Sequence, residues 1–394
     1  MPILKKGKPR PKKPNRLLPD MRIPLTFLAL HPRNFPFSTE ISRKMLKKKI
    51  IIGARASPLS LAQAKEVSAL LKGKFPQHSF SLKKLVTFGD KHRNWQRRDT
   101  GILDKDVGIF VKEIEEALLT GKIDLAVHSL KDLPCRLPEG LELAAVTERM
   151  DPRDCIIFRD SKAILPKARK SPSRLSGRQA AMALKKGAHI GTSSLRRKAQ
   201  LLYWRPDLQV ENLRGNLNTR LEKLKIGGFD AIVVALAGIK RLGLKNLSAP
   251  PFLSEIPGQQ IIPTKLMLPA PGQGALGIEI RQGDREIKAL AAGLNDRKSF
   301  LCVSCERAFL EALGAGCRLP LGALAEIKDT QIHLEAVVAS PDGKRLIRLE
   351  RRAPLEKAEA PGLLLFQAEA LGKQMAQEFS RRGAGELLKE VDKE

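Results

Sequence analysis

Short apolar runs alternate with longer amphipathic stretches along most of the chain, a pattern that predicts strands feeding helices. The first run, over 48–53, is β-rich and is followed by Ser57 and Pro58. Ser at the N-cap with Pro at the first helical position is a favourable helix start, and the helix is expected to reach about residue 71. A strand over 80–87, a polar loop over 88–106, a helix over 110–120 and a strand over 124–128 follow. This β-α-β-α-β order predicts a mostly parallel sheet.

A second unit begins near Asp151 with a strand over 154–158, then a basic, low-complexity stretch over 161–186 that reads as a surface insertion or loop. Three strand-to-helix junctions come next: strand 188–191 feeds helix 194–204, strand 209–213 feeds helix 217–226, and strand 230–235 feeds a turn over 238–243. After the Gly-governed turn 269–277 one more strand is expected, then a third unit. That unit reads as a helix over 299–313, a Gly-rich turn over 314–318, strands over 321–327, 331–339 and 344–351, and a final helix over 362–377. Helices beside a short antiparallel sheet make it an α+β domain.

The chemistry gathers where the predicted strands end. Arg55, Lys131, Arg196, Arg197, Arg214, Arg220 and Arg241 sit at or just beyond those ends, beside short polar residues. If the strands share parallel sheets, their carboxyl ends converge on one crevice, where open α/β folds bind ligands. Such a crevice suits a polyanion.

Composition narrows the classes. At 394 residues the chain exceeds one ordinary core, so two or three domains are expected. No apolar run reaches the roughly 18–20 residues of a membrane span, so no membrane partner is expected. The formal charge of +29 would suggest nucleic acid, but residues 1–49 alone carry +12, in a Pro-rich leader without strand or helix periodicity. Aromatic content is only 4%, which leaves few stacking platforms, so no nucleic-acid partner is expected. The leader reads as an artefact before a true start at Met45 or Met21, or as a basic tail or organellar transit segment. Five cysteines, Cys135, Cys155, Cys302, Cys305 and Cys317, are irregularly spaced, against a secreted disulfide framework and in favour of the cytoplasm. Cys302 and Cys305 have C-x-x-C spacing without a second pair or a histidine nearby; core packing is the expected role, and no metal site is expected.

At Gly191-Thr-Ser-Ser-Leu-Arg-Arg197, hydroxyls and free N–H groups open a helix with two guanidiniums in its first turn. Cations there oppose the helix dipole, so a bound anion would relieve a cost. A plain N-cap with surface arginines is the alternative. Arg214 and Arg220 repeat the arrangement at the next junction, Arg241 supplies a third level, and Arg55 beside Ser57 echoes it in the first unit. Lys131 and Asp132 lie side by side after strand 124–128, as a structural salt-bridged turn or as a carboxylate acting on a cationic group or an N–H. No Walker A pattern occurs, and no G-x-G-x-x-G follows the first strand.

With these residues assembled, the chain resembles the porphobilinogen deaminase (hydroxymethylbilane synthase) family over nearly all of 48–390. The matching stretches are GARASPLSLAQ from Gly53, VHSLKDLP from Val127, GTSSLRR from Gly191, LRGNLNTRL from Leu213, LAGIKRLG from Leu236, LPAPGQGALGIE from Leu268 and GAGCRLPLGA from Gly314. The resemblance implies an α/β fold: two domains built like type II periplasmic binding proteins around a cleft, and a smaller α+β C-terminal domain carrying a covalent cofactor. The corresponding division is a leader over 1–46, a first domain over 47–147 with about 266–292, a second over 148–265 and a third over 293–394. The family reaction deaminates porphobilinogen, couples four units head to tail and hydrolyses the chain to release hydroxymethylbilane. Cys317 would hold the dipyrromethane cofactor through a thioether, although its spacing alone reads as a small buried residue.

By the same matching, Asp132 would be the catalytic carboxylate, buried and stabilising the positive charge left on a pyrrole nitrogen when ammonia departs. Lys131, Ser194, Arg196, Arg197 and Arg220 would hold cofactor carboxylates. Arg55, Ser57, Arg214 and Arg241 would hold incoming porphobilinogen, with Thr192 and Gln273 lining the cleft. A monomer is expected. The chain departs from the family at Lys105-Asp-Val-Gly108, where a Gly-Gly-Lys-Gly stretch is common, at Ala56, in the 161–186 insertion and in the leader. A non-catalytic anion-binding protein of the same architecture is the alternative if Cys317 carries nothing.

Overall fold

A computed structural model describes residues 49–87, 111–159, 184–243, 259–314, 319–355 and 361–393. The leader, the 88–106 loop with its 105–108 segment, nearly all of the 161–186 stretch and Cys317 lie outside the described residues.

The first sheet contains β1 (Lys49–Arg55), β2 (Ser79–Leu85), β3 (Leu125–Ser129), β4 (Leu141–Val146) and β10 (Leu276–Arg281), in the order β2-β1-β3-β10-β4. β1 runs parallel to β2 and β3, whereas β10 is antiparallel to both β3 and β4. Alternation along β1 decides what covers each face. Ile50 and Ile52 pack with Val67 and Leu71 of α1 (Pro58–Lys74) and with Ile287 and Leu290 of α6 (Arg285–Ala292). Ile51 faces the other way, toward Ile114 and Leu118 of α2 (Lys112–Leu119). A sheet buried on both faces needs this apolar run rather than strict apolar-polar alternation. α1 starts as expected, with the Ser57 hydroxyl accepting the Ser60 N–H at 3.3 Å and Pro58 in the first turn.

The second sheet repeats the plan in β5 (Asp154–Phe158), β6 (His189–Gly191), β7 (Gln209–Glu211), β8 (Ala231–Ala235) and β9 (Gln259–Ile261), ordered β7-β6-β8-β5-β9. Here β5 is the antiparallel member, paired with β8 and β9. α3 (Leu195–Trp204) packs on one face; α4 (Leu217–Ile226) and α5 (Leu236–Arg241) pack on the other. The odd strand of each sheet, β5 or β10, is the one that comes after a crossing from the other sheet. The doubled order is the architecture that the resemblance implies, with the carboxyl ends of β1, β3, β6, β7 and β8 facing a common crevice.

The third unit is an antiparallel meander, β11 (Leu321–Lys328), β12 (Gln331–Ala339) and β13 (Leu346–Pro354), covered by α7 (Arg297–Ala312), α8 (Pro361–Arg381) and α9 (Ala384–Lys389). α7 and α8 approach closely at Gly372, where an added Cβ would lie 2.2 Å from the Cys305 carbonyl oxygen. Cys302 and Cys305 are buried free thiols in this core, the packing role expected of them.

Several elements differ from the sequence expectation. β4, β9 and α6 are absent from it, and the 238–243 turn belongs to a helix that starts directly after β8. The last helix continues four residues beyond 377 before α9 begins.

Candidate active site

The crevice is organised by two antiparallel crossings. One runs from β4 to β5 and the other from β9 to β10, and they are stitched together: Met150 N–H donates to the Gly274 carbonyl at 3.3 Å, Arg149 Nε to the Gln273 carbonyl at 2.8 Å, and Gln273 Nε2 to the Pro152 carbonyl at 2.6 Å. The approach requires glycine at 274, where φ is +96° and an added Cβ would sit 2.4 Å from the Met150 oxygen. Beneath the turn, the buried Glu306 carboxylate accepts from Arg149 Nη1 at 2.6 Å and Nη2 at 3.2 Å, and from the N–H groups of Gly272 and Ala325, both at 2.7 Å. The third unit is thereby fastened to both crossings.

On the second sheet, α3 opens at Ser194, whose hydroxyl makes no capping bond to its own helix. Its N–H donates to Thr192 Oγ1 at 3.2 Å, and Thr192 is buried rather than lining the cleft. Arg196 and Arg197, in the first turn, are both buried. They are held by a residue absent from the expected site, Asp154, the 0% exposed first residue of β5. Arg196 Nη1 donates to Asp154 Oδ2 at 2.7 Å and to the Leu268 carbonyl at 2.6 Å. Arg197 donates from Nε and Nη2 to Asp154 Oδ1 at 3.0 and 2.7 Å, and from Nη1 to the Val233 carbonyl at 3.1 Å. Burial disfavours charge on Asp154, but the two guanidiniums more than offset it and hold the carboxyl far below the usual range. Burial lowers the Arg196 pKa, with Asp154 opposing and Arg197 adding to the effect.

The first sheet delivers Lys131 and Asp132 in a single 3-10 turn directly after β3. Burial pushes the Lys131 pKa down to about 8; Asp132 and Asp154 pull it back up, while Arg197 and Arg196 press it further down. Its ammonium donates to Gln273 Oε1 at 3.4 Å. Asp132 is exposed, not buried as the sequence reading expects, because the short turn carries it past the end of the sheet. Arg220, from α4, donates to the Gly215 carbonyl at 2.9 Å and to Ser193 Oγ at 3.4 Å. Burial and the nearby Arg197 lower its pKa to about 10, with Asp132 opposing, so it stays cationic at neutral pH. Lys131, Asp132, Arg196, Arg197 and Arg220 are thus within one electrostatic neighbourhood.

The other expected residues are placed differently. Arg55 ends β1, with Ser57 two residues on, and Arg214 is exposed in the β7–α4 loop. Arg241 is engaged by protein partners: its side chain is 4% exposed and donates to Glu66 Oε2 on α1 at 3.0 Å and to the Gly274 carbonyl at 3.2 Å. Gln273 is 1% exposed, so it does not line a surface.

Residues 50–289 match the family description "Porphobilinogen deaminase, dipyromethane cofactor binding domain", and residues 300–380 match "Porphobilinogen deaminase, C-terminal domain". A porphobilinogen deaminase of Chlorobium phaeobacteroides is 42% identical over 348 residues, covering 88% of this chain and 99% of that protein. The chain belongs to the porphobilinogen deaminase family. Proteins of that name from Pelotomaculum thermopropionicum and Thermus thermophilus are 40% and 41% identical, covering 89% and 87% of this chain and 99% of each relative.

For a porphobilinogen deaminase, whose matched domain binds a dipyromethane cofactor, the donors present are of the right kind for a carboxylated pyrrole pair. Among the described residues, no acceptor meets Arg196 Nε or Nη2, which leaves one edge of a fixed guanidinium for a carboxylate. Lys131, Arg220 and the uncommitted Ser194 hydroxyl add donors around it. Asp154 could have been found in the sequence: a charged residue opening the apolar strand Asp-Cys-Ile-Ile-Phe must be paired if buried, and two arginines follow one junction later.

Proposed function

We propose that the chain is a hydroxymethylbilane synthase, which deaminates porphobilinogen, joins four units head to tail on a covalent dipyrromethane primer and hydrolyses the product free. The observation that carries the reading is the meeting of Lys131 and Asp132 from the first sheet with Arg196, Arg197 and Arg220 from the second. Each added pyrrole brings an acetate and a propionate, so the demand for cationic donors rises as the chain grows.

Asp132 is assigned the catalytic part. An exposed carboxylate at the mouth of a cationic crevice can approach a pyrrole N–H, stabilise positive charge there as ammonia leaves, and transfer a proton. Lys131, Ser194, Arg196, Arg197 and Arg220 are assigned to cofactor carboxylates, and Arg55, Ser57 and Arg214 to incoming porphobilinogen. Thr192, Arg241 and Gln273, whose side chains face protein partners, support that subsite from behind. When bound at Cys317, the dipyrromethane supplies the pyrrole carbon on which the chain grows. The domain division over 47–147 with 266–292, 148–265 and 293–394 is part of the same proposal, as are a cytoplasmic location and a monomer. Among the described residues no helix is long and apolar enough to cross a membrane.

The test is direct. Purified protein supplied with porphobilinogen should release ammonia and hydroxymethylbilane, the latter detected as porphyrin after cyclisation and oxidation. Its intact mass should exceed that of the bare chain by a dipyrromethane, and Cys317→Ala should lack the increment. Cofactor-loaded protein that forms no product would overturn the activity, and turnover by an unmodified chain would overturn the primer.

A further inference from the structure

Asp154 and Gln273 form a continuous path between the two sheets. Asp154 lies at the crevice because β5 is antiparallel: its first residue pairs with Ala235, the last residue of β8. Its carboxylate receives four donors, Arg196 Nη1 on Oδ2 and Arg197 Nε, Arg197 Nη2 and Gln273 Nε2 on Oδ1, the last at 2.9 Å. With about two lone-pair sites per carboxylate oxygen, Oδ1 is saturated by three donors and Oδ2 holds Arg196 alone, so the carboxylate is committed chiefly to protein partners.

Gln273 has its amide orientation set by its partners. Nε2 faces two acceptors, Asp154 and the Pro152 carbonyl, while Oε1 faces the Lys131 ammonium; flipping the amide would oppose like to like at all three. Arg197 is equally committed, with Nε, Nη1 and Nη2 each on a protein acceptor, whereas Arg196 uses only Nη1. The two arginines therefore differ in what they offer a ligand: Arg197 keeps one N–H on each Nη, whereas Arg196 presents its whole Nε–Nη2 edge.

We propose that Asp154 and Gln273 are positioning residues for the reaction, a buried couple that aims Arg196 through Asp154 and Lys131 through Gln273 so that cations from opposite sheets hold one ligand in register. The inference rests on the functional reading above. Two guanidiniums against one carboxylate leave a net positive charge out of water, and a ligand carboxylate on the free edge of Arg196 would compensate it. The couple thus sets both where the anion docks and why it is wanted there.

Gln273→Met keeps side-chain size and both Arg–Asp154 ion pairs while removing the link to Lys131. In the full-length cofactor-bearing protein, with loading checked by intact mass, lysines are labelled by reductive 13C-methylation and Lys131 is assigned against Lys131→Arg. The Lys131 midpoint should fall by about half a pH unit or more in Gln273→Met, since an acceptor of the ammonium is lost. It should fall in Asp154→Asn too, which keeps that acceptor but removes a nearby negative charge. KM for porphobilinogen should rise about tenfold in folded Gln273→Met, while the thermal midpoint drops by a few degrees because the Pro152 carbonyl loses its donor. A Lys131 midpoint and a KM equal to wild type in folded Gln273→Met would overturn the inference, as would an unmoved midpoint in folded Asp154→Asn. If Asp154→Asn does not fold, Gln273→Met decides alone. Because the lysine titration needs no turnover, it judges the couple even if the wild-type protein makes no hydroxymethylbilane, an outcome that would overturn the functional reading instead.

Discussion

Replacing Glu306 by glutamine should destabilise the protein nearly as much as deleting the side chain. Its two carboxylate oxygens each accept two donors, Arg149 Nη1 and Ala325 N–H on Oε1, and Arg149 Nη2 and Gly272 N–H on Oε2. An amide nitrogen placed at either position must face two donors, so no flip rescues the variant. The Arg149 side chain, 10% exposed, is then left charged without its counter-ion. Breaking a buried ion pair from one side costs about 3–5 kcal/mol. With a urea slope of about 1–3 kcal/mol per molar, the midpoint should move down by roughly 1 M or more.

Urea unfolding followed by circular dichroism measures this, with Lys288→Gln as the control. Lys288 pairs with Glu142 at 2.9 Å, but both side chains remain partly exposed, and that change should cost at most about 1 kcal/mol. The double replacement Arg149→Met with Glu306→Leu should recover part of the loss, because no unpaired charge remains. It should not recover all of it, since the N–H groups of Gly272 and Ala325 lose their acceptor at about 1–3 kcal/mol each. A Glu306→Gln midpoint within about 0.5 kcal/mol of wild type would refute the reasoning that this carboxylate fastens the third unit to the crossings.

Asp132→Asn should keep stability within about 0.5 kcal/mol, because the side chain is exposed, yet lower the rate of porphyrin formation by about 10²–10⁴-fold; near-normal turnover removes it from the chemistry. Lys131 loses its charge near pH 8 in the chain without cofactor, and the carboxylates of the covalent cofactor favour its ammonium, so kcat/KM of the loaded enzyme should fall only as pH rises above about 8. Lys131→Gln should abolish the kcat/KM limb, and its persistence would assign the limb elsewhere. Burial, reinforced by Glu279 and opposed by His128, raises the Glu115 pKa to about 7. The folded state then holds a proton that the unfolded chain releases near 4.5, so stability should fall by on the order of 2 kcal/mol between pH 4.5 and 7. Glu115→Gln should flatten that slope in urea midpoints measured across the range, and an unchanged slope would show that Glu115 does not cause it.

The residues most legible in the sequence are those whose placement is decided within a few positions. Ser57 caps α1 because Pro58 follows it, and Arg196, Arg197 and Arg220 reach the crevice because a strand ends and a helix begins beside them. Residues whose side chains are taken up by protein partners depend on positions far along the chain. Arg241 is held by Glu66, 175 positions distant, and Gln273 by Asp154, 119 positions distant. β4 escapes the sequence pattern for the same reason, since it pairs along its length with β10, which the chain reaches only after completing the second sheet.

This division has a structural cause. Parallel strands deliver their last residues to the crevice, and each then passes into a short polar junction that local chemistry can identify. An antiparallel strand delivers its first residue instead, as β5 does with Asp154, and the crossing before β10 brings Gln273 to the same edge. Groups arriving this way come from linkers and strand starts, where no helix cap marks a ligand site, and they arrive already paired. The junctions thus provide the donors that meet a ligand, and the crossings provide the acceptors that aim them. Because both crossings also connect the two sheets, the 2.9 Å bond between Gln273 and Asp154 joins the support of Lys131 on one sheet to the support of Arg196 on the other.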